Sequence, residues 1–428
     1  MKHTRLWLLL LLLLLTASLL VGCGEAEDET PREGQTLTLK VYNWGEYISD
    51  GSEGSFDTNA AFEEYYEALY YERTGVRVNV NVVYTTFATN EDMYSKITGG
   101  AGTYDVIIPS DYMIQKLREE GRLEELRPEE TVENYRYIDE RFKGSYYDPD
   151  DLYTVPYTYG KVGIIYNNTL IDEADAAEES WGLLWNEKYK GKILQFNNPR
   201  DGFGSAMYYK NIDINSTDPA DWQAALALLI EQKPLVQAYV SDEIFNKMTG
   251  GSAAVAPYYA GDYLIMREDN DALSFYYPKE GTNIFVDAMC IPKDEGRSPE
   301  VLAMAREYIN FMLSEEAAIA NALYIGYASP NTLVTESEEY REELGDGYDI
   351  LYSEQDVNQS YDYDPYFHSF DADTQALVNR LWEELKTESA IEPWLHVTSA
   401  LIVLGCLGFG TFSIVLRRRR SLHYRKKT

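Results

Sequence analysis

The stretch Gly75-Val76-Arg77-Val78-Asn79-Val80-Asn81-Val82 decides the fold class. Its valines alternate with Arg77, Asn79 and Asn81, the period of two that turns one face of a strand toward a core. The preceding run, Ala61 to Thr74, predicts a helix that stops at Gly75, a residue suited to the left-handed position just past a helix end. Further back, Leu37, Leu39 and Val41 alternate with Thr38 and Lys40, a first strand. Ahead lies Tyr104-Asp105-Val106-Ile107-Ile108-Pro109, a short apolar run of the kind buried on both faces of a sheet. Strand, helix and strand in this order predict βαβ units, a parallel sheet and the α/β class.

The pattern continues. Val162 to Tyr166 and Ile193 to Phe196 read as strands. Asp218-Pro219 predicts a helix start, with Asp as cap and Pro in the first helical position, and helices fit Pro299 to Leu313 and Thr374 to Thr387. Ser353 to Asp371, rich in tyrosine and acid, reads as a loop. No repeat of solenoid length is present. At 428 residues the chain exceeds one ordinary domain.

Both ends read as membrane anchors. Lys2 and Arg5 precede an apolar run from Leu6 to Leu20, which ends in Leu20-Val21-Gly22-Cys23. That ending resembles the bacterial lipobox, so residues 1–23 are expected to be a lipoprotein signal peptide and Cys23 the lipidated residue. An uncleaved signal anchor is the other reading. Residues 24–36 are polar and read as a flexible tether. Trp394 to Leu416 holds no Asp, Glu, Lys or Arg over 23 residues, long enough to span a bilayer, and Arg417 to Arg420 open a basic tail, residues 417–428. The positive-inside rule puts that tail in the cytoplasm and everything between the anchors on the extracytoplasmic face of a cell membrane, periplasmic in a double-membrane cell.

Charge and rare residues narrow the chemistry. The chain has 37 basic and 71 acidic residues, and the part between the anchors carries about −43 once the basic ends are set aside. Such a field repels nucleic acid and draws in cations, although acidity also simply keeps an exported protein soluble. Cys290 is the one cysteine between the anchors and His368 the one histidine, so a disulfide, a Cys-based metal cluster and a His-dependent triad are not expected. Asp148, Asp150 and Asp151, and likewise Asp362 and Asp364, lack calcium-loop spacing and read as solvated loop acids.

Seven blocks, in order, resemble the spermidine/putrescine-binding proteins of bacterial ABC transporters. They are Tyr42 to Tyr47, Asn90 to Lys96, Tyr104 to Tyr112, Val155 to Gly160, Ser180 to Trp185 with Tyr189 to Lys192, Asp287 to Pro292 and Ile325 to Asn331. The resemblance covers roughly residues 37 to 390. It implies a type II periplasmic-binding-protein fold, in which two α/β lobes joined by crossing strands close on a ligand. Residues 37–159 with 288–333 would form the first lobe, and 160–287 with 334–390 the second. It also implies a ligand site: Trp44, Glu46, Tyr47, Ser110 and Tyr112 from the first lobe, Asp201, Ser241, Tyr259 and Asp287 from the second lobe and hinge, and Tyr327 on the return crossing. Three positions depart from the family pattern. Asn198 stands where the family has an acid, and Tyr259 and Phe285 stand where it has tryptophans.

The implied function is non-enzymatic: capture of a polyamine and delivery to a membrane permease, with no cofactor and no metal. A polyamine needs carboxylates for its ammonium groups and aromatic walls for its methylenes. Glu46, Asp201 and Asp287 are the expected charges. A receptor of the same fold for another solute, and an extracellular hydrolase using two carboxylates, are the alternatives. The short basic tail carries no signalling domain, which argues against a sensor.

Overall fold

A computed structural model describes residues 31–100, 102–353 and 357–387. The expected lipidated Cys23 and the apolar span of residues 394–416 lie outside the described residues. Nine strands are present among them: β1 (Gln35–Trp44), β2 (Val78–Phe87), β3 (Val106–Ile107), β4 (Thr154–Asn167), β5 (Ile193–Phe196), β6 (Val236–Val240), β7 (Val255–Tyr259), β8 (Leu273–Tyr276) and β9 (Ile284–Cys290). The helices of nine or more residues are α1 (Thr58–Thr74), α2 (Asn90–Thr98), α3 (Asp111–Glu119), α4 (Pro199–Tyr209), α5 (Pro219–Gln232), α6 (Ala260–Asp269), α7 (Pro299–Met312), α8 (Glu315–Ile325) and α9 (Ala372–Thr387).

The opening βαβ unit forms as its sequence requires. Asp57 caps α1, its side chain accepting from the Ala60 amide at 3.0 Å, and Gly75 ends the helix at φ +74° with its N–H on the Tyr71 carbonyl. The chain then enters β2, which pairs parallel with β1 from Gln35↔Val78 to Trp44↔Phe87. Leu39, Val41 and Phe62 are fully buried between sheet and helices. Asp218 caps α5 and Pro219 opens it, as predicted.

The sheet order is β2-β1-β3-β9-β4-β7-β5-β6, with β8 beside β4. Pairings of β1 with β2 and β3, and of β5 with β6 and β7, are parallel. The strands that join these two parallel groups are antiparallel, which the local sequence pattern does not reveal. β4 runs for 14 residues: Thr154 to Lys161 pair with β9, and Val162 to Tyr166 pair with β7. One strand therefore belongs to both groups.

Two expectations need correction. The run Tyr104 to Pro109 contributes only Val106–Ile107 to the ladder, because Asp105 takes the Lys40 amide with its side chain and pairs with Arg297 at 2.8 Å. Asp148 is not a solvated acid: it is 2% exposed and accepts from the amides of Leu152, Tyr153 and Thr154, organising the entry to β4. The segment 357–371 is irregular, as expected, yet it buries Tyr361 and Phe367 in the core.

Candidate ligand site

The site assembles where strands end and helices begin. β1 leads into Trp44 and Tyr47, β5 into α4, and β7 directly into α6, while β9 contributes Phe285 and Asp287 from its own length. Ser110 occupies the cap position of α3 and bridges to Asp287 through the backbone. Asn198 caps α4: its Oδ1 accepts from the Asp201 amide at 2.9 Å and its Nδ2 donates to Asp201 Oδ2 at 2.9 Å.

Three aspartates are each held by one tyrosine hydroxyl. Tyr47 donates to Asp287 Oδ2 at 2.6 Å, Tyr259 to Asp201 Oδ2 at 2.9 Å, and Tyr327 to Asp262 Oδ2 at 2.5 Å. The rings of these tyrosines stand round Phe285. Tyr259 and Tyr327 lie 5.4 and 5.7 Å from it, and Tyr47 lies 5.7 Å from Tyr327. Edge-on contacts at these spacings are favourable for aromatic pairs.

Two glycines permit this packing. A Cβ on Gly160 would lie 2.7 Å from the Phe285 ring, and one on Gly261 would lie 1.8 Å from the Tyr327 ring. The sequence Tyr259-Ala260-Gly261-Asp262 thus supplies a ring, a gap for a second ring, and an acid within one helical turn.

An acid in the first turn of a helix is ordinary, because the helix dipole favours it there. That accounts for the placement of Asp201 and Asp262 but not for their electrostatics. Burial pushes the Asp262 carboxyl up to about 7, against the hydrogen bond from Tyr327. Burial likewise raises Asp287 to about 6, with the hydroxyls of Tyr47 and Ser110 pulling it back. Neither feels a cationic side chain. Asp287 Oδ1 is buried without a hydrogen-bond partner. Asp201 is also raised by burial, offset by Asn198, Tyr259 and the charge of Arg200. The three tyrosines are held well above their ordinary range, chiefly by burial, so their hydroxyls stay protonated and donate.

Arg200 closes one flank. Its guanidinium lies 3.8 Å from the Phe370 ring centre, 4.4 Å from Phe367 and 5.2 Å from Tyr112, and donates to the His368 carbonyl at 2.9 Å. Tyr112 is therefore a wall for Arg200, with its hydroxyl donating to Glu91 at 3.1 Å.

The structure thus brings together Tyr47, Ser110, Asn198, Asp201, Tyr259, Phe285, Asp287 and Tyr327, with Tyr112 alongside. Trp44 packs against Phe87 at 4.5 Å, and its Nε1 is buried without a partner. Glu46 and Ser241 are placed differently from the rest. Glu46 is exposed on a left-handed turn (φ +51°) and accepts from Tyr324 at 3.3 Å; Ser241 is exposed just beyond β6, its amide on Glu243. Asp262, absent from the expected set, is the third carboxylate of the cluster. Its signal in the sequence is its spacing of three from Tyr259 at a strand-to-helix junction.

Comparison with known proteins gives the chain its family. Residues 60–344 match the profile of a family described as bacterial extracellular solute-binding protein. The chain belongs to that family. Among relatives of this solute-binding chain, the spermidine/putrescine-binding periplasmic protein of Salmonella typhimurium is 30% identical over 295 residues, which are 69% of this chain and 78% of that protein. The putrescine-binding periplasmic protein PotF of Escherichia coli is 28% identical over 349 residues, 77% of this chain and 88% of the other. The solved structure of the spermidine/putrescine ABC transporter substrate-binding protein of Streptococcus pneumoniae superposes with a TM-score of 0.64 at 31% identity, covering 82% of this chain and 98% of that one. The expected α/β periplasmic-binding-protein fold is therefore present.

Proposed function

We propose that this solute-binding protein captures a polyamine among Asp287, Asp262 and Asp201 and delivers it to an ABC permease. The observation that carries the reading is the pair Asp287 and Asp262, carboxylates drawn out of water against aromatic rings, held by neutral hydroxyls and facing no cationic side chain. A carboxylate in that setting is costly to ionise, and an ammonium group is the natural counter-charge. The rings offer their faces to the methylenes and to the charge, each cation–π contact contributing about 0.5–2 kcal/mol. The names of the relatives point to the same ligands. Nothing in this arrangement calls for a reaction step, and the family is one of transport receptors rather than enzymes.

We further propose that the two parallel strand groups are the cores of two lobes, residues 37–159 with 288–333 and 160–287 with 334–390, with β4 and β9 crossing between them. In the same reading, the lipid on Cys23 and the span at residues 394–416 hold the receptor at the outer face of the membrane.

Calorimetric titration of the full chain in detergent with spermidine, putrescine and spermine tests the function. Saturable heat with at least one of them is expected. Heat with a sugar or an organic anion, and none with any polyamine, would sink the proposal.

A further inference from the structure

Thr158, on the crossing strand β4, reaches Asp287 through another side chain, and the strand register explains how. β4 and β9 pair Pro156 with Ala288 and Thr158 with Asp287, so the ladder skips Tyr157. One extra residue on one strand is a β-bulge, and Pro156, with no amide to give, stands where the ladder is interrupted. The skip has two effects. It sets Thr158 directly opposite Asp287, and the side chains of directly opposed residues share one face of a sheet. It also leaves Tyr157 outside the ladder, where its hydroxyl donates to the Tyr47 carbonyl at 3.1 Å.

The Tyr47 hydroxyl bridges the opposed pair, 2.7 Å from Thr158 Oγ1 and 2.6 Å from Asp287 Oδ2. It has one proton to give. An ionised carboxylate only accepts, so that proton goes to Asp287, and the Thr158 hydroxyl gives its own to the Tyr47 oxygen. Thr158, Tyr47 and Asp287 thus form a short chain of hydrogen bonds that all point one way. A hydroxyl that receives a hydrogen bond donates its own more strongly, above all where water is excluded, and all three residues are buried. Asp287 draws on hydroxyls rather than on a cationic side chain, so the strength of the Tyr47 donor bears directly on its charge.

We infer, on the polyamine reading, that Thr158 is a positioning residue for the ligand-binding charge: its hydroxyl turns the Tyr47 proton toward Asp287 and keeps that carboxylate ready to receive an ammonium group. Thr158 acts through Tyr47, without touching the ligand itself.

Thr158→Val keeps the shape of the side chain and removes its hydroxyl; Thr158→Ser keeps the hydroxyl. In calorimetric titration of the full chain in detergent with putrescine and spermidine, Thr158→Val should bind about two- to tenfold more weakly, the range for one net hydrogen bond, with an unchanged Tm. Thr158→Ser should bind more tightly than Thr158→Val. Tyr47→Phe removes the link, so adding Thr158→Val to it should weaken binding no further, a coupling that the double-mutant comparison isolates. Parental affinity in Thr158→Val would overturn the inference. The same loss in the Tyr47→Phe background as in the parent would overturn it too, because Thr158 would then act through packing. If the unaltered protein gives no heat with either amine, the polyamine reading falls and takes this inference with it, a result distinct from parental affinity in Thr158→Val.

Discussion

Asp287 combines burial, a 2.6 Å hydrogen bond from Tyr47 and a partnerless Oδ1, so its charge is the most open to test. Removing one partner of a buried charged pair costs about 2–5 kcal/mol, roughly thirty- to several-thousand-fold in affinity. Asp287→Asn is accordingly expected to weaken polyamine binding at least tenfold with an unchanged circular dichroism spectrum. Unchanged affinity would remove Asp287 from the site. The raised carboxyls also fix a pH dependence. Bound cations favour the ionised acids, so binding lowers their proton affinity and releases protons. Affinity should fall as pH drops through about 7, where Asp262 protonates, and about 6, where Asp287 does, and should level off above that range. Ligand-free stability runs the other way: these groups contribute most at low pH, and that contribution is lost as pH rises from about 4 toward 6 to 7. Titrations between pH 5 and 8 that show stronger binding at the acid end would contradict both assignments. In the sequence, Asp287 stands in a block resembling the family, whereas Asp201 lies outside the seven blocks and is named only by what the resemblance implies. Asp262 carries only its spacing of three from Tyr259 as a local signal, and that spacing does not announce that Tyr327, 65 positions away, folds against it.

At the scale of elements, the site depends on how closely α6 approaches the turn after α8. Gly261 opens that gap for Tyr327, and Gly326 (φ +75°) turns the chain into it. Gly261→Ala would place a methyl group 1.8 Å from the ring and 2.7 Å from the Gly326 carbonyl. Forced overpacking of this kind costs about 1–3 kcal/mol. A Tm lowered by several degrees, together with weakened polyamine binding, is expected from thermal melts and calorimetry; a variant as stable and as tight as the parent would show that the contact relaxes freely. Helices and parallel strands are readable from period and caps, because Gly75, Asp218 and Pro219 act within a few residues of themselves, whereas the Asp57 cap of α1 emerges only in the structure. The antiparallel partnership of β4 and β9 is not readable. Its paired residues, such as Thr154 and Cys290, are far apart in sequence, and no local pattern records such a meeting.

For the whole molecule, the acidic excess and the two ends act together. A body of about −43 between basic ends holds a field that draws polycations toward it and falls off with salt. If Cys23 carries the lipid, metabolic labelling with a fatty acid should give a labelled band in the unaltered protein and none in Cys23→Ala; label surviving that change would place the lipid elsewhere or dismiss it. The two proposed anchors rest on the sequence alone, since apolar length and flanking charge are read without any tertiary partner.

The last turn of α9 deserves a mechanical reading. Trp382 fills the space beside Gly202 in α4, and Lys386 donates to Asn197 Oδ1 at 2.5 Å, one residue ahead of the Asn198 cap that orients Asp201. The end of α9 therefore abuts the strand-to-helix junction that carries Asp201. Displacing that helix end would shift the Asn198 cap and, with it, the Asp201 carboxylate that the cap orients.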